Sequence, residues 1–225
     1  MWFILIIIGG IVLLVGGSIM AYYLFTREGR NRRRFNRLPV TPIAHFHDGL
    51  PGKIVGRANS IDGACIVAPL SGRECVFWRV QVSEPSGIDR NTWHTLFLGS
   101  CDHQYLTITD ETGTCRIPLK ETAYILVDEQ SFLPNLKNDD TERFRAFCRD
   151  RGIDLGYGFG IPGIKRLKFY EWIIAAGDVT AGIGIPAMRE GQCVMTATDV
   201  FGVCFTNDRR LFGKGARHER FEQTG

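Results

Sequence analysis

The chain has 225 residues, of which 44% are hydrophobic, and this length suits one domain with a sizeable core. Its formal net charge is +3. Residues 27–37 contain six Arg and one Glu and so carry +5, which leaves a net charge of −2 for residues 38–225. A nucleic-acid-binding domain would need its own basic face, and none is visible, so we expect no nucleic-acid partner.

The chain begins with an apolar segment, because residues 2–25 contain no charged side chain and are rich in Ile, Leu, Val and Gly. As a helix rising ~1.5 Å per residue, this segment would reach about 36 Å, against a bilayer hydrocarbon core of roughly 30 Å. A cleaved signal peptide would have basic residues ahead of the apolar run and a shorter run. The sequence therefore predicts a transmembrane anchor over residues 1–26.

A basic stretch follows the apolar segment directly. Positive residues beside a membrane segment are retained on the cytoplasmic side, so we expect a single-pass membrane protein with a cytoplasmic domain. We interpret residues 27–49 as a basic juxtamembrane linker, since Pro39 and Pro42 favour an extended chain. Its arginines either bind anionic lipid headgroups or act only as a topology signal. The candidate lipid-contacting residues are Arg27, Arg30, Arg32, Arg33, Arg34 and Arg37.

Residues 50–206 have the pattern of a β-rich domain. Short β-branched or aromatic runs are separated by turn pairs such as Asp62-Gly63. Val80 and Val82 alternate with Arg79 and Gln81, which gives that strand one apolar face. The predicted strands cover residues 53–59, 64–68, 75–84, 93–98, 104–109, 115–118, 123–127, 179–185, 192–198 and 203–206.

One helix is predicted in this domain, beginning at Thr141, which can cap its N-terminus, and ending at Gly152. Phe144, Phe147 and Cys148 fall on one face of that helix.

These elements together favour an α+β, mainly β fold. We expect an N-terminal transmembrane helix, then one β-rich domain with one or two helices, and a polar tail over residues 207–225. Whether the strands form an open sheet or a closed, OB-like barrel is left open. The glycine-rich stretch 156–163 lacks the Gly-Lys-Ser/Thr ending of a phosphate-binding loop and is interpreted as a loop.

The seven cysteines are odd in number and form no Cys-x-x-Cys pair, which suits reduced thiols that act as small apolar core residues. Cys101 and His103, one residue apart, are a weak candidate metal pair, because a structural zinc would need two more ligands. The same two residues could instead form a thiolate–imidazole pair for nucleophilic catalysis. Spacing supplies no further partner, so we expect no catalytic residue, no cofactor and no metal.

Four carboxylates could be imagined as acid–base pairs, but the glycines near them favour turn and end-of-strand roles. These are Asp110, Glu111, Glu171 and Asp178. The aromatic residues between positions 77 and 172 are interpreted as core rather than as a ligand platform. The candidates for a binding surface are Arg73, Arg79, Arg90 and Glu171.

The order of several segments carries a resemblance to a known family. These segments are residues 51–58, 68–79, 109–113 and 170–179, together with Gly182. The chain resembles the GIDE domain, a family that includes a mitochondrial membrane ubiquitin ligase and prokaryotic membrane proteins. The resemblance implies a domain beside a membrane that binds or senses a protein or another ligand. It covers most of residues 50–206.

The ligase members of that family owe ubiquitin transfer to a separate RING finger, whose Cys and His ligands hold two zinc ions. The sequence shows no such cluster, so we lean away from an enzyme. We predict a membrane-anchored, non-catalytic interaction, sensing or regulatory module whose partners are the lipid bilayer and an unidentified protein. The alternative is an E3 ubiquitin ligase-like or ligase-associated factor.

Overall fold

The computed structural model describes residues 2–61, 63–86, 92–120, 122–127, 130–132, 140–153, 167–198 and 201–213. The predicted loop at residues 156–163 and the candidate Arg90 lie outside these residues. The described helices are α1 (Trp2–Phe25), α2 (Arg27–Arg37) and α3 (Asp140–Asp150), with 3-10 helices at Ile43–His45 and Arg209–Leu211.

The strands confirm the prediction of a mainly β fold, and most lie where the sequence pattern placed them. They are β1 (Gly52–Asn59), β2 (Ile66–Val67), β3 (Glu74–Cys75), β4 (Phe77–Pro85), β5 (Trp93–Ser100), β6 (Tyr105–Asp110), β7 (Gly113–Pro118), β8 (Ala123–Ile125), β9 (Gln130–Phe132), β10 (Lys168–Ile174), β11 (Val179–Arg189), β12 (Gln192–Thr196) and β13 (Cys204–Thr206).

Five strands close into a barrel in the order β1-β6-β7-β12-β11, because β11 also pairs with β1. Four junctions are antiparallel, and the β7–β12 junction is parallel. The strands therefore form a closed five-stranded barrel, which settles the closure that the sequence left open. Strands β13 and β8 extend the sheet beyond β11. The side chains of Ile54, Leu106, Ile108, Ile117 and Ile183 are fully buried.

A turn predicted from the sequence joins β6 to β7. The side chain of Asp110 accepts hydrogen bonds from the backbone N–H groups of Thr112 (2.7 Å) and Gly113 (2.9 Å). Its second oxygen accepts from the N–H of Ile43 at 2.9 Å, which ties the first 3-10 helix to the barrel. A short acidic side chain that caps its own turn is typical of this position, as predicted for Asp110.

A second, four-stranded sheet has the order β5-β4-β10-β9. One side of it packs against α3, where the ring of Phe147 meets Trp78 and Phe97 edge-on at 6.2 and 5.6 Å. At the other end Phe77 meets Phe205 of the barrel sheet edge-on, with centroids 5.1 Å apart. Sheet and barrel therefore share one continuous core.

Residues 27–37, predicted as part of a linker, form helix α2 and pack on the barrel. Thr26 caps the helix by accepting from the N–H of Gly29 at 3.0 Å. Phe35 is buried in one cluster with Leu211 and Phe212. These two residues belong to the stretch predicted as a polar tail, so that prediction is wrong for the start of the tail. The Lys53 side-chain nitrogen, 2% exposed, donates to the Phe35 carbonyl at 2.7 Å, one of the last carbonyls that the helix leaves without an internal partner.

Helix α1 covers residues of the predicted anchor, and its described large side chains, such as Ile11 and Leu13, are exposed. The side chains of residues 3, 5, 19 and 22–24 lie outside the description. Crossing a bilayer takes about 20 consecutive apolar residues. Among the described residues, no helix combines the length and the apolar character that a crossing needs. The prediction of a single-pass membrane protein is therefore corrected, because the structure does not support it.

Candidate binding surface on the four-stranded sheet

The candidate metal pair of the sequence lies where β5 ends. Cys101 is buried, its N–H donates to the carbonyl of Trp78 at 3.1 Å, and burial raises the pKa of its thiol. His103 is exposed. Within the described ranges, no three His, Cys, Asp or Glu side chains come together as metal ligands. A thiol kept protonated by burial is also a poor nucleophile.

Several of the basic residues of α2 contact the protein itself. Arg32 pairs with Glu28 at 3.0 Å and with the buried Asp208 at 3.1 Å. Arg210, and to a lesser extent Arg32, hold the pKa of the Asp208 carboxyl below its usual value. Arg34 lies over the ring of Phe201, with its Cζ 4.6 Å from the centroid. Two of the predicted lipid-contacting residues therefore fasten α2 to the C-terminal segment.

The remaining arginines of α2 have other positions. Arg27, Arg30 and Arg37 are exposed, Arg33 is partly exposed, and an Nη of Arg30 donates to the carbonyl of Phe25 at 2.7 Å. None of these positions tests the predicted contact with lipid.

The candidate carboxylate Glu171 has a structural contact that the sequence did not reveal. It lies within β10 rather than at a turn, is 1% exposed, and accepts from the N–H groups of Leu70 (2.8 Å) and Ser71 (3.0 Å). The predicted end-of-strand role is therefore wrong for Glu171. Its carboxylate holds the loop before β3 against the sheet, because it accepts from a buried and a partly buried amide of that loop.

The side of the four-stranded sheet that faces away from α3 carries a different set of side chains. Residues that are paired across neighbouring strands lie on the same face of a sheet. On β10, Trp172 is paired with Arg79 and Tyr170 with Gln81. Gln81 is also paired with Leu98 of β5. We call this surface the outer face. It consists of Arg79, Gln81, Leu98, Lys168, Tyr170 and Trp172.

Arg79 lies at one end of the outer face. Its guanidinium Cζ lies 4.7 Å from the ring centroid of Tyr124 and 5.1 Å from that of Trp172, so the cation contacts two aromatic rings. Its Nε is buried and has no hydrogen-bond partner among the described residues. A buried donor without an acceptor costs about 1–3 kcal/mol, and such a group is held in place by the packing around it.

A second cation lies further along the same face. The Nζ of Lys168 is 3.8 Å from the ring centroid of Trp93. Lys168 and Trp172 are four residues apart on β10, which corresponds to about 13 Å at the rise of an extended strand. Arg79 lies opposite Trp172, so the two cations are separated by roughly this distance along the strand direction.

The surface between the two cations is half exposed. Tyr170 and Gln81 are intermediate in exposure, and Leu98 is 51% exposed. The rings of Tyr170 and Trp172 lie 6.2 Å apart, and the amide of Gln81 donates to the hydroxyl oxygens of Ser83 and Thr95. The outer face is thus a strip of aromatic, amide and aliphatic groups bounded by two positive charges.

The sequence contained part of this site. Arg79 was a candidate, and its alternation with the valines of β4 places it on the face opposite the apolar one. The interpretation of the aromatic residues as core is correct for Phe77, Trp78, Phe169 and Trp172, whereas Tyr170 is half exposed. What was missing is the register between β4 and β10, which joins them into one surface.

Comparison with known proteins identifies no relative: no family model matches the chain, and neither does any curated protein or solved structure. The resemblance to the GIDE domain stays a prediction from the sequence.

Proposed function

We propose that this protein is a non-catalytic interaction module whose outer face binds an extended acidic segment of a protein partner. The observation that carries the proposal is Arg79, a cation fixed between the rings of Tyr124 and Trp172, whose buried Nε has no acceptor among the residues that the structure describes. A carboxylate is the group that the planar guanidinium binds best, through two parallel hydrogen bonds. The resemblance to the GIDE domain is in keeping with an interaction role.

The spacing of the two cations supports an extended segment. In an extended chain every second side chain points to the same side, and residues four apart are about 13 Å apart. A segment with Glu at positions i and i+4 therefore matches Arg79 and Lys168, and the side chain at i+2 falls near Leu98 and Tyr170. Charge thus sets the position of the segment, and the apolar strip between the cations adds contact area.

The experiment uses the full chain and a ten-residue peptide with Glu at positions i and i+4. We expect the peptide to shift the Nε–Hε signal of Arg79 in an NMR titration, since the guanidinium group gains a carboxylate partner. The Arg79→Lys variant identifies that signal and should weaken binding by about tenfold, the effect of losing one bidentate contact. Arg73→Lys is the matched control, because Arg73 is exposed and lies off the outer face.

Two results would refute this function. One is peptide binding that is equally strong in the Arg79→Lys variant. The other is tighter binding of a single-stranded oligothymidylate than of the peptide, because aromatic and basic groups on a sheet also suit stacked bases.

A further inference from the structure

Two cysteines of the barrel lie side by side in its interior. Cys115 of β7 is in direct register with Cys193 of β12, and their Sγ atoms are 2.9 Å apart. Cys115 is 0% exposed and Cys193 is 6% exposed. Neighbouring strands lie about 4.8 Å apart, which is within the Cα separation that a disulfide spans. No large backbone movement is needed to join the two sulfur atoms.

The two thiols differ in acidity because they share one hydrogen bond. The thiolate of Cys193 is stabilised by the thiol of Cys115, which lowers the pKa of Cys193. The same hydrogen bond, together with burial, raises the pKa of Cys115. Cys193, the more accessible sulfur of the two at 6% exposure, is thus the one suited to attack as a thiolate, and the enclosed Cys115 keeps a proton to give away later.

Position in the fold gives Cys193 a route to small solutes. It follows the β11–β12 hairpin turn, where Glu190 and Gly191 both have positive φ, and β12 begins at Gln192. The turn residues and Gln192 are exposed. A molecule of two heavy atoms reaches such a position through fluctuations at the end of a hairpin far more easily than a bulky reagent does.

We propose that Cys115 and Cys193 form a redox modification site at which a hydroperoxide produces an intramolecular disulfide. The Cys193 thiolate attacks a peroxide oxygen, the O–O bond breaks, and hydroxide leaves, so Cys193 becomes a sulfenic acid. Cys115 then attacks the sulfenic sulfur, and its proton goes to the departing hydroxyl group. In total, two thiols and one hydrogen peroxide give one disulfide and two water molecules.

The disulfide would join the parallel junction of the barrel. Only two residue pairs are in register there, Cys193 with Cys115 and Val194 with Arg116, which is fewer than at any other barrel junction of the described chain. The bond would also close a loop of about 80 residues, a length at which a cross-link restricts the unfolded chain strongly. Oxidation should therefore raise the melting temperature.

The test treats the full chain with hydrogen peroxide near stoichiometric amounts and follows intact mass, peptide mapping and thermal unfolding. We expect a loss of 2 Da, roughly the mass of two hydrogens, a cross-link between the peptides of Cys115 and Cys193, and a melting temperature raised by several degrees that dithiothreitol reverses. Peptide mapping of the unmodified sequence needs no variant, so the result does not depend on whether a barrel variant folds.

Variants provide the controls. Cys65→Ser removes the exposed cysteine and should leave the cross-link in place. Cys193→Ala should abolish both the mass loss and the rise in melting temperature.

Other outcomes would overturn the site. These are a cross-link between Cys75 and Cys101, oxidation confined to Cys65, or Cys193 oxidised to sulfinic acid while Cys115 stays free.

Discussion

The barrel and the outer face of the four-stranded sheet are both built from β-strands, but their side chains differ in burial. In the barrel, Ile108 and Ile117 are fully buried and every barrel strand pairs on both sides. On the outer face, Arg79 and Tyr170 are half exposed, and the guanidinium Nε lacks a partner among the described residues. The barrel is therefore the part where substitutions should cost most stability, and the outer face is the part to which we assign the proposed binding.

The largest effect is expected from the barrel interior. Ile117→Ala removes three carbon atoms from a fully buried position beside Gly182 and should lower the free energy of unfolding by about 2–5 kcal/mol. The matched variant on the outer face is Leu98→Ala, where a half-exposed leucine should change stability by about 0.5 kcal/mol or less. Urea unfolding of both variants measures the difference. Equal losses would mean that the outer face is covered by other parts of the chain.

A smaller effect is expected at Glu171, on the side of the sheet opposite the outer face. Glu171→Ala leaves the N–H groups of Leu70 and Ser71 without their acceptor and should cost about 2–3 kcal/mol of stability. Glu171→Gln keeps one acceptor oxygen and should cost less. Glu74→Ala is the control, because Glu74 is exposed on β3. If Glu171→Ala unfolds at the same urea concentration as the unmodified chain, the carboxylate does not hold this loop.

The sequence predicted the individual strands far better than their arrangement. Alternating apolar residues mark β4, and the Asp110 turn marks the β6–β7 hairpin, because both signals are local. Barrel closure depends on the pairing of Cys115 with Cys193, which are far apart in the chain, and no local pattern specifies such a register. The two sites described above both arise from pairings of this kind.

Helix α2 was missed for a related reason. Between residues 27 and 37 the only large apolar side chain is Phe35, so the segment has no apolar periodicity to detect. The helix is held by distant partners, namely Lys53 at the Phe35 carbonyl and Asp208 at Arg32. A helix with one buried side chain and polar contacts to distant residues has the sequence pattern of a linker.

The docking of α2 on the barrel should depend on pH through Lys53. Burial lowers the pKa of Lys53 below the value of 10.5 that it has in the unfolded chain. Between these two pKa values the unfolded state binds more protons, so the contribution of Lys53 to stability rises with pH, by no more than about 1.4 kcal/mol per pH unit. Below the lowered pKa the contribution is constant, and it includes the cost of burying the charge.

This dependence is measured by comparing the unmodified chain with Lys53→Met from pH 7 to pH 10.5. The difference in unfolding free energy between the two should change in favour of the unmodified chain as the pH rises. Lys120→Met, which removes an exposed lysine, should show no such trend. A difference that falls with pH would mean that the ammonium charge itself stabilises the folded state.

A small change in stability, of the opposite sign, is expected at the Arg79 end of the outer face. Arg79→Met keeps the aliphatic contact with Tyr124 and Trp172 but removes a buried donor that has no acceptor in the described chain. Unfolding free energy should stay the same or rise by up to about 1 kcal/mol, since an unsatisfied polar group is lost. Binding of the acidic peptide should nevertheless fall below detection. The proposal would be contradicted if Arg79→Met lost more than about 2 kcal/mol of unfolding free energy while its folded molecules still bound the peptide. Arg79 would then serve the stability of the fold and not binding.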